Sequence, residues 1–271
     1  MDTWRLLKTP PAHGAWNMAV DEAILEAVGG RKSIPTLRLY AWDPACLSLG
    51  FAQPLADVDI PRLRTNGWEV VRRPTGGRAV LHIDELTYSV IAPLNEPRVA
   101  GTVLESYHRL AQALVEALNL LSMRVEVNEN SARQPNNLGT NPVCFEVPST
   151  YEITIAGKKL VGSAQARRKE GVLQHGSLPL TGDLRRILQV LVFPDEESRT
   201  LAADRLLRRA TTVETALERK VSWDEAARAV ITAFGSVLAL DLQPGNLSLD
   251  EKNRAEKLVR AKYAHPSWTE K

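Results

Sequence analysis

Two cysteines stand in the 271-residue chain, in unlike surroundings. Cys144 lies in "NPVCFEVPSTYE", between a polar stretch rich in Asn and Pro and the start of an alternating strand. A thiolate there could attack an activated carbonyl and carry the acyl group as a thioester. A free cysteine ionises near pH 8.5, so a neighbouring cation would be needed to make the thiolate available at neutral pH. Cys46 lies in "DPACLSLGF", an apolar stretch, and reads as a small core residue.

Three further stretches hold residues suited to a ligand site. In "RRPTGGRAVLH", residues 72–82, Gly76 and Gly77 follow a strand and let a ligand approach the backbone closely. Arg72, Arg73 and Arg78 flank them and could meet an anionic group through forked hydrogen bonds. The spacing is not that of a P-loop. In "GKKLVGSAQARR", residues 157–168, Lys158 falls at a turn, where a solvated lysine is ordinary. Strict alternation puts Lys159, Val161 and Ser163 on one face, and the small residues Gly162, Ser163 and Ala164 leave room beside the strand. In "LQHGSLPL", His175 precedes Gly176 and could touch a ligand. Taken singly, each stretch also has a plain reading: a tight turn, a solvated lysine, a satisfied strand histidine.

The elements that would position these residues follow from periodicity. "GAWNMAVDEAILEAVGG" predicts a helix stopped by Gly29-Gly30. "PTLRLYAW", "ACLSLGF", "WEVVRR" and "ELTYSVIA" predict strands. Residues 102–121 carry a helical stripe from Leu104 to Leu121. Residues 128–142 read as an exposed polar loop, and strands resume from 151 to about 181, the first two joined at Ala156-Gly157-Lys158. From about 183 the period becomes helical. "DLRRILQVL" is one helix, and Ser222 with Glu225 and Ser248 with Glu251 stand at capping-box spacing. Strands come first and helices later, which is an α+β pattern rather than strict βαβ alternation.

Composition excludes several classes. Hydrophobic residues are 44% and charged residues 24%, an ordinary globular mix. Net charge is only +2, from 34 basic and 32 acidic residues, so nucleic acid or a membrane surface is not an expected partner. The start of the chain has no signal-like apolar stretch and no run is long enough to span a bilayer, so a cytoplasmic enzyme with reduced thiols is expected. No C-x-x-C or Cys/His cluster suggests a metal site.

Read in order, "RRPTGGRAVLHIDELTYS", "GKKLVGSAQ" and "QHGSLPL" resemble the lipoate/biotin protein ligase and lipoyl/octanoyl transferase superfamily. The resemblance runs from about residue 2 to 181, and more loosely to "KYAHPSW" near the end. The "CF…PSTYE" context is similar to that of the octanoyltransferase (LipM-type) subgroup. ATP-dependent lipoate ligases usually carry a third glycine and a "HD" pair, where this chain has Arg78 and "HIDE".

The resemblance implies a biotin/lipoate protein ligase-like fold. Its mixed β-sheet core, about 1–182, would be packed by helices, with a C-terminal helical segment, about 183–271, in one catalytic domain spanning 1–271. It also implies octanoyl transfer from octanoyl-acyl carrier protein, through a Cys144 thioester, to a lysine of a lipoyl-domain protein such as the glycine cleavage H protein. Lys159 would be the second catalytic residue, because in the motif the lysine directly precedes Leu or Ile. Arg73, Thr75, Gly76, Gly77, Arg78 and His82 would line the acyl site from one side. Gly162, Ser163, Ala164, His175 and Gly176 would line it from the other. No cofactor and no metal are implied, and a monomer is expected. The rival readings are an amidotransferase moving octanoyl between lipoyl-domain proteins and an ATP-dependent lipoate ligase.

Overall fold

The structure, a computed structural model, describes residues 1–128 and 152–270. Cys144 and most of the polar stretch at 128–142 lie outside the described residues.

The chain enters as strand β1 (Asp2–Lys8) and turns into helix α1 (Gly14–Gly29). Strands β2 (Thr36–Tyr40) and β3 (Cys46–Leu49) follow, then the short helix α2 (Ile60–Thr65) and strands β4 (Glu69–Arg72), β5 (Val80–His82) and β6 (Glu85–Ala92). Helix α3 (Val103–Leu120) leads to β7 (Glu126–Asn128). Strands β8 (Glu152–Ile155), β9 (Lys158–Arg168) and β10 (Gly171–Pro179) form the central hairpins. Beyond them lie helices α4 (Glu196–Arg209), α5 (Val213–Leu217) and α6 (Trp223–Val237), strand β11 (Leu240–Pro244), and helices α7 (Leu249–Leu258) and α8 (Pro266–Thr269).

Eight strands make one mixed sheet in the order β11-β1-β2-β6-β10-β9-β8-β7, and β4-β3-β5 make a second, smaller sheet. β1 pairs in parallel with both β11 and β2, whereas β2, β6, β10 and β9 pair antiparallel in turn. Alternation along the strands sorts their side chains between two cores. Leu39, Tyr88 and Val90 face α3 and α6, meeting Leu110, Leu114 and Phe234. Tyr40, Ile91 and Leu173 face α1 and α7, meeting Met18, Ile24 and Leu258. α1 is buried almost all round, because the sheet covers one side and α7 with the following turn covers the other. A third core, built on Leu47, Leu49 and Val80, joins the small sheet to Ile187, Leu188 and Leu206.

Three expectations need correction. The segment after 183 is not purely helical: β11 adds an edge strand beside β1, so this segment completes the main sheet. "DLRRILQVL" forms a 3-10 turn, Leu184–Val190, capped by the Asp183 side chain. Strict alternation fails at the start of β9, where the β8–β9 register shifts between Ile153 and Thr154. Such a bulge re-aims side chains, and Lys159, Leu160 and Val161 are all buried in succession. At the helix ends, Ser248 and Glu251 cap α7 reciprocally as expected, and α3 has the same box from Thr102 and Glu105.

Candidate active site

The small sheet lies over the face of the large sheet, and a narrow cavity of about 40 Å³ remains between them. From the large sheet come Tyr40, Trp42, Thr87, Gly162, Ser163, Ala164, His175, Gly176 and Ser177. From α1 comes Met18, and the small sheet with the turn after β4 contributes Ser48, Arg73, Val80 and His82. Seven of the residues expected at an acyl site therefore line one cavity: Arg73, His82, Gly162, Ser163, Ala164, His175 and Gly176. Thr75 joins them through its hydroxyl, 2.6 Å from His175 Nε2.

Register explains the convergence. Ser177, Gly176 and His175 of β10 stand opposite Gly162, Ser163 and Ala164 of β9 and opposite Thr87, Tyr88 and Ser89 of β6. Gly176 is required for close approach, because a Cβ there would meet Tyr88 Cε1 at 2.5 Å and Ser163 Oγ at 2.6 Å. Gly77 takes φ 96°, in the left-handed region, and Gly50 passes so close that a Cβ on it would meet the Gly77 carbonyl oxygen at 1.9 Å. Gly76 has no atom within 4 Å of where a Cβ would stand.

Most of the polar groups in the cavity wall bond to one another. His82 Nδ1 is 2.7 Å from Glu85 Oε1, and its Nε2 is 2.7 Å from Ser48 Oγ. In the neutral ring, Nδ1–H donates to the Glu85 carboxylate and Nε2 accepts from Ser48. Glu85 also accepts from the Thr87 and Ser177 hydroxyls. Trp42 stacks on the His82 ring at 4.0 Å, with 10° between the planes, and donates its Nε1–H to Thr87 Oγ1 at 2.7 Å.

His175 is the centre of a second relay. Its Nδ1 is 3.8 Å from Asp21 Oδ2, and Nε2 meets the Thr75 hydroxyl. Burial pushes its pKa below the usual histidine value; the Arg73 and His82 charges act in the same direction, against the opposing pull of Asp21. Burial thus favours the neutral ring, with the Thr75 hydroxyl at hydrogen-bond distance from Nε2 and the Asp21 carboxylate facing Nδ1. Burial tends to raise the Asp21 pKa, but Arg38 and His175 outweigh it and the net shift is downward. Arg38, fully buried, donates to Asp21 Oδ1 at 2.7 Å and to Asn17 Oδ1 at 2.7 Å.

Arg72 and Arg73 of "RRPTGGR" direct their guanidinium groups to backbone carbonyls. Arg73 directs its fork to Ser48 O, Gly76 O and Arg78 O, at 2.9, 2.8 and 2.7 Å. Arg72 bonds Gly50 O and, near the C-terminus, Trp268 O and Thr269 O. Both shape the turn around Gly76-Gly77, and Arg73 still contributes to the cavity wall. Arg78 is half-buried and lies outside that wall.

Lys159 is 4% exposed and does not line the cavity. Its Nζ is 3.0 Å from Glu152 Oε1, and it sits three residues before Gly162 on the strand that forms the cavity wall. Cys46 has no exposed surface; burial, then the Glu69 and Glu85 charges, push its thiol pKa well above the ordinary value. It is a core residue, as its apolar context indicates.

Sequence reasoning did not single out Ser48, Glu85 or Asp21. Glu85 follows His82 by three residues across a tight turn, a spacing that carries no signal on its own. Asp21 sits within an apolar helical stripe, and a buried aspartate there was the available clue. Among the described residues, no group of three or more His, Cys, Asp or Glu side chains could hold a metal ion, and no helix is long and apolar enough to cross a membrane.

A small sheet thus closes a narrow cavity over a mixed sheet, with a buried lysine on the strand that forms one wall. The family model for the lipoyl protein ligase A/B catalytic domain matches residues 13–235, and the chain belongs to that family. It is 42% identical over 270 residues to a protein of Moorella thermoacetica called octanoyltransferase LipM, covering 98% of this chain and 97% of that one. A protein of Brevibacillus brevis with the same name is 38% identical over 273 residues, covering 99% of each. Among solved structures, a bipartite lipoate protein ligase from Thermoplasma acidophilum superposes with TM-score 0.81 at 26% identity, covering 100% of this chain and 97% of that one. Lipoate-protein ligase A bound with ATP gives TM-score 0.80 at 26% identity, covering 100% and 99%. The expected α+β ligase-like fold and the resemblance to octanoyltransferases are borne out by these likenesses.

Proposed function

We propose that this chain transfers an octanoyl group from a carrier-protein thioester to a lysine of a lipoyl-domain protein, by way of a Cys144 acyl-enzyme. The observation that carries the reading is the cavity. Its polar wall groups are engaged with one another, so it suits an alkyl chain that brings no hydrogen-bonding group of its own. Each buried methylene contributes roughly 0.8 kcal/mol, so an eight-carbon chain gains useful affinity without any charge. The names of the relatives point to the same acyl group.

In the first step the Cys144 thiolate attacks the thioester carbonyl. The carbon–sulfur bond to the carrier breaks, and the carrier thiol leaves with a proton. In the second step the acceptor lysine, as a free amine, attacks the Cys144 thioester and forms an amide; the carbon–sulfur bond breaks, Cys144 leaves as thiolate, and the proton lost by the amine passes to water. Both steps pass through an oxyanion, and a cation beside it stabilises that charge. Lys159 is assigned this role, because it stands on β9, whose small residues Gly162, Ser163 and Ala164 further along wall the acyl chain. The donor carbonyl is already activated, so no nucleotide is needed. The acyl carrier protein as donor and the glycine cleavage H protein as first acceptor belong to the same reading.

The test is intact mass after mixing the protein with octanoyl-carrier protein. A covalent octanoyl adduct is expected, cleaved by hydroxylamine and absent from Cys144→Ala. An adduct that forms equally on the alanine variant sinks the mechanism. Activity that instead needs ATP and releases AMP would move the chain to the ligase branch.

A further inference from the structure

The segment Val259–Thr269, outside the cavity, grips the rest of the molecule at two points, and both lead to His175. The first grip is on Arg72. Arg72 Nε donates to Trp268 O at 3.0 Å and Nη2 to Thr269 O at 2.7 Å, and Trp268 Nε1 donates back to Arg72 O at 2.9 Å. The same guanidinium holds Gly50 O at 2.9 Å and Phe51 O at 3.2 Å. Phe51 N–H in turn donates to Thr75 O at 2.9 Å, and the Thr75 hydroxyl meets His175 Nε2.

The second grip is on Glu22. Lys262 Nζ bonds both Glu22 carboxylate oxygens, at 2.6 and 2.8 Å, and Tyr263 donates its hydroxyl to the same carboxylate. Glu22 is the residue after Asp21 in α1, and Asp21 faces His175 Nδ1. Within the segment, Trp268 packs edge-on against Tyr263 at 5.9 Å, and Lys262 lies 4.2 Å over the Trp268 ring. The two grips therefore move together. Val259–Tyr263 winds as a π turn, a departure from the α-helix that brings Lys262 and Tyr263 toward Glu22.

We propose that Trp268 and Tyr263 are positioning residues for acyl transfer: their segment is a strap that sets His175 through its Nε2 contact with Thr75 and through the α1 turn that carries Asp21, and with it the Gly76-Gly77 turn over the acyl cavity. Plain packing would set how deep the segment lies. Charged donors aimed at single carbonyl and carboxylate oxygens set direction as well, and a wall that must match an acyl chain needs both. The effect on acyl binding rests on the octanoyl reading above, whereas the effect on the turn does not.

The experiment uses Trp268→Phe, which keeps a ring and removes the indole donor, and Tyr263→Phe, which removes only the hydroxyl. Hydrogen exchange in the full-length protein is compared over residues 73–79 and 85–92. Affinity is measured by calorimetry for S-(2-oxononyl)pantetheine, an octanoyl thioester mimic with a methylene between carbonyl and sulfur. Trp268→Phe is expected to speed exchange over 73–79 by about tenfold while 85–92 stays as in the parent, because opening is local. Affinity for the mimic is expected to fall by about fivefold, since the wall is then less well placed. Tyr263→Phe is expected to act in the same direction and to add little in the double variant, as residues on one network do. Equal rises over both peptides, or none, overturn the proposal, since an anchor of stability alone loosens the sheet and the turn alike. An unchanged affinity beside a loosened turn also overturns the acyl role. A parent protein that fails to bind the mimic, with the exchange difference intact, removes the octanoyl reading and leaves the strap standing.

Discussion

Lys159 Nζ lies 3.0 Å from Glu152 Oε1, and the lysine is 4% exposed. A buried cation is stable only with such a partner, and it can act on a developing negative charge because water does not screen it. Lys159→Ala is expected to slow acylation by about 100-fold, the scale of losing one oxyanion donor. Rapid mixing with octanoyl-carrier protein measures the rate. A variant that acylates at the parent's rate removes Lys159 from the mechanism.

Trp42 borders two spaces. It lines the inner cavity and also an open hollow of about 580 Å³ formed with Pro10, Pro11, Ile83, Leu180, Val221 and Trp223. Replacing it by alanine removes the partition and the stack on His82. Trp42→Ala should therefore shift preference from eight-carbon toward twelve-carbon donors, read as a ratio in direct competition. An unchanged ratio would show that the chain does not approach Trp42.

Acid should weaken the fold in two stages. His175 binds its proton less readily in the folded state than in the unfolded chain, whose value is near 6.5. Below about pH 6.5 the unfolded chain takes up the extra proton, so the stabilisation present above that pH is lost as pH falls toward the lowered folded value. Asp21, Glu22 and Glu251 also have lowered values, from ordinary ones of 3.8, 4.5 and 4.5. Their contribution is full above those values and disappears as pH falls below them. Thermal melts between pH 8 and 3 should show both stages, and His175→Gln should remove the upper one and reduce the Asp21 share of the lower one.

The two cysteines should differ sharply toward iodoacetamide at neutral pH. Cys46, buried with its thiol pKa raised, should label only after unfolding. Peptide mapping of the native protein should find the label on Cys144, and substantial native labelling of Cys46 would contradict the buried site.

Gly176→Ala should destabilise the protein by about 1–3 kcal/mol, because the added methyl overpacks against the Tyr88 ring and the β9 backbone. Urea unfolding gives the value, and a change within error would mean that β6 and β9 yield more easily than their packing suggests.

The elements that hold the site were largely legible. α1, β2, β3, β6, α3 and the β9–β10 hairpin all follow from periodicity, because each buries a defined face. The cavity itself was legible only as ordered motifs, since Ser48, His82 and His175 come from strands of two different sheets that meet only in the folded molecule. The rest depended on long-range pairing that no local pattern encodes. Arg72 and Arg73 looked like anion ligands, yet their partners are backbone carbonyls made available by the folded turn. Lys159 was placed by simple alternation, and a one-residue register shift undid that geometry. β11 was missed because "LDLQP" is short and half-exposed, with its pairing partner at the other end of the chain.

That partnership between β1 and β11 has a consequence for how the protein is made. Asp2–Leu6 leave the ribosome well before the strand that covers their outer edge, Leu240–Pro244, which is synthesised only after the rest of the sheet. Until then β1 exposes an open edge able to pair with a neighbouring chain. Contacts of such sequence separation form late in folding. Ribosome-bound fragments that stop short of residue 240 therefore present an unpaired β1 edge that the finished chain covers.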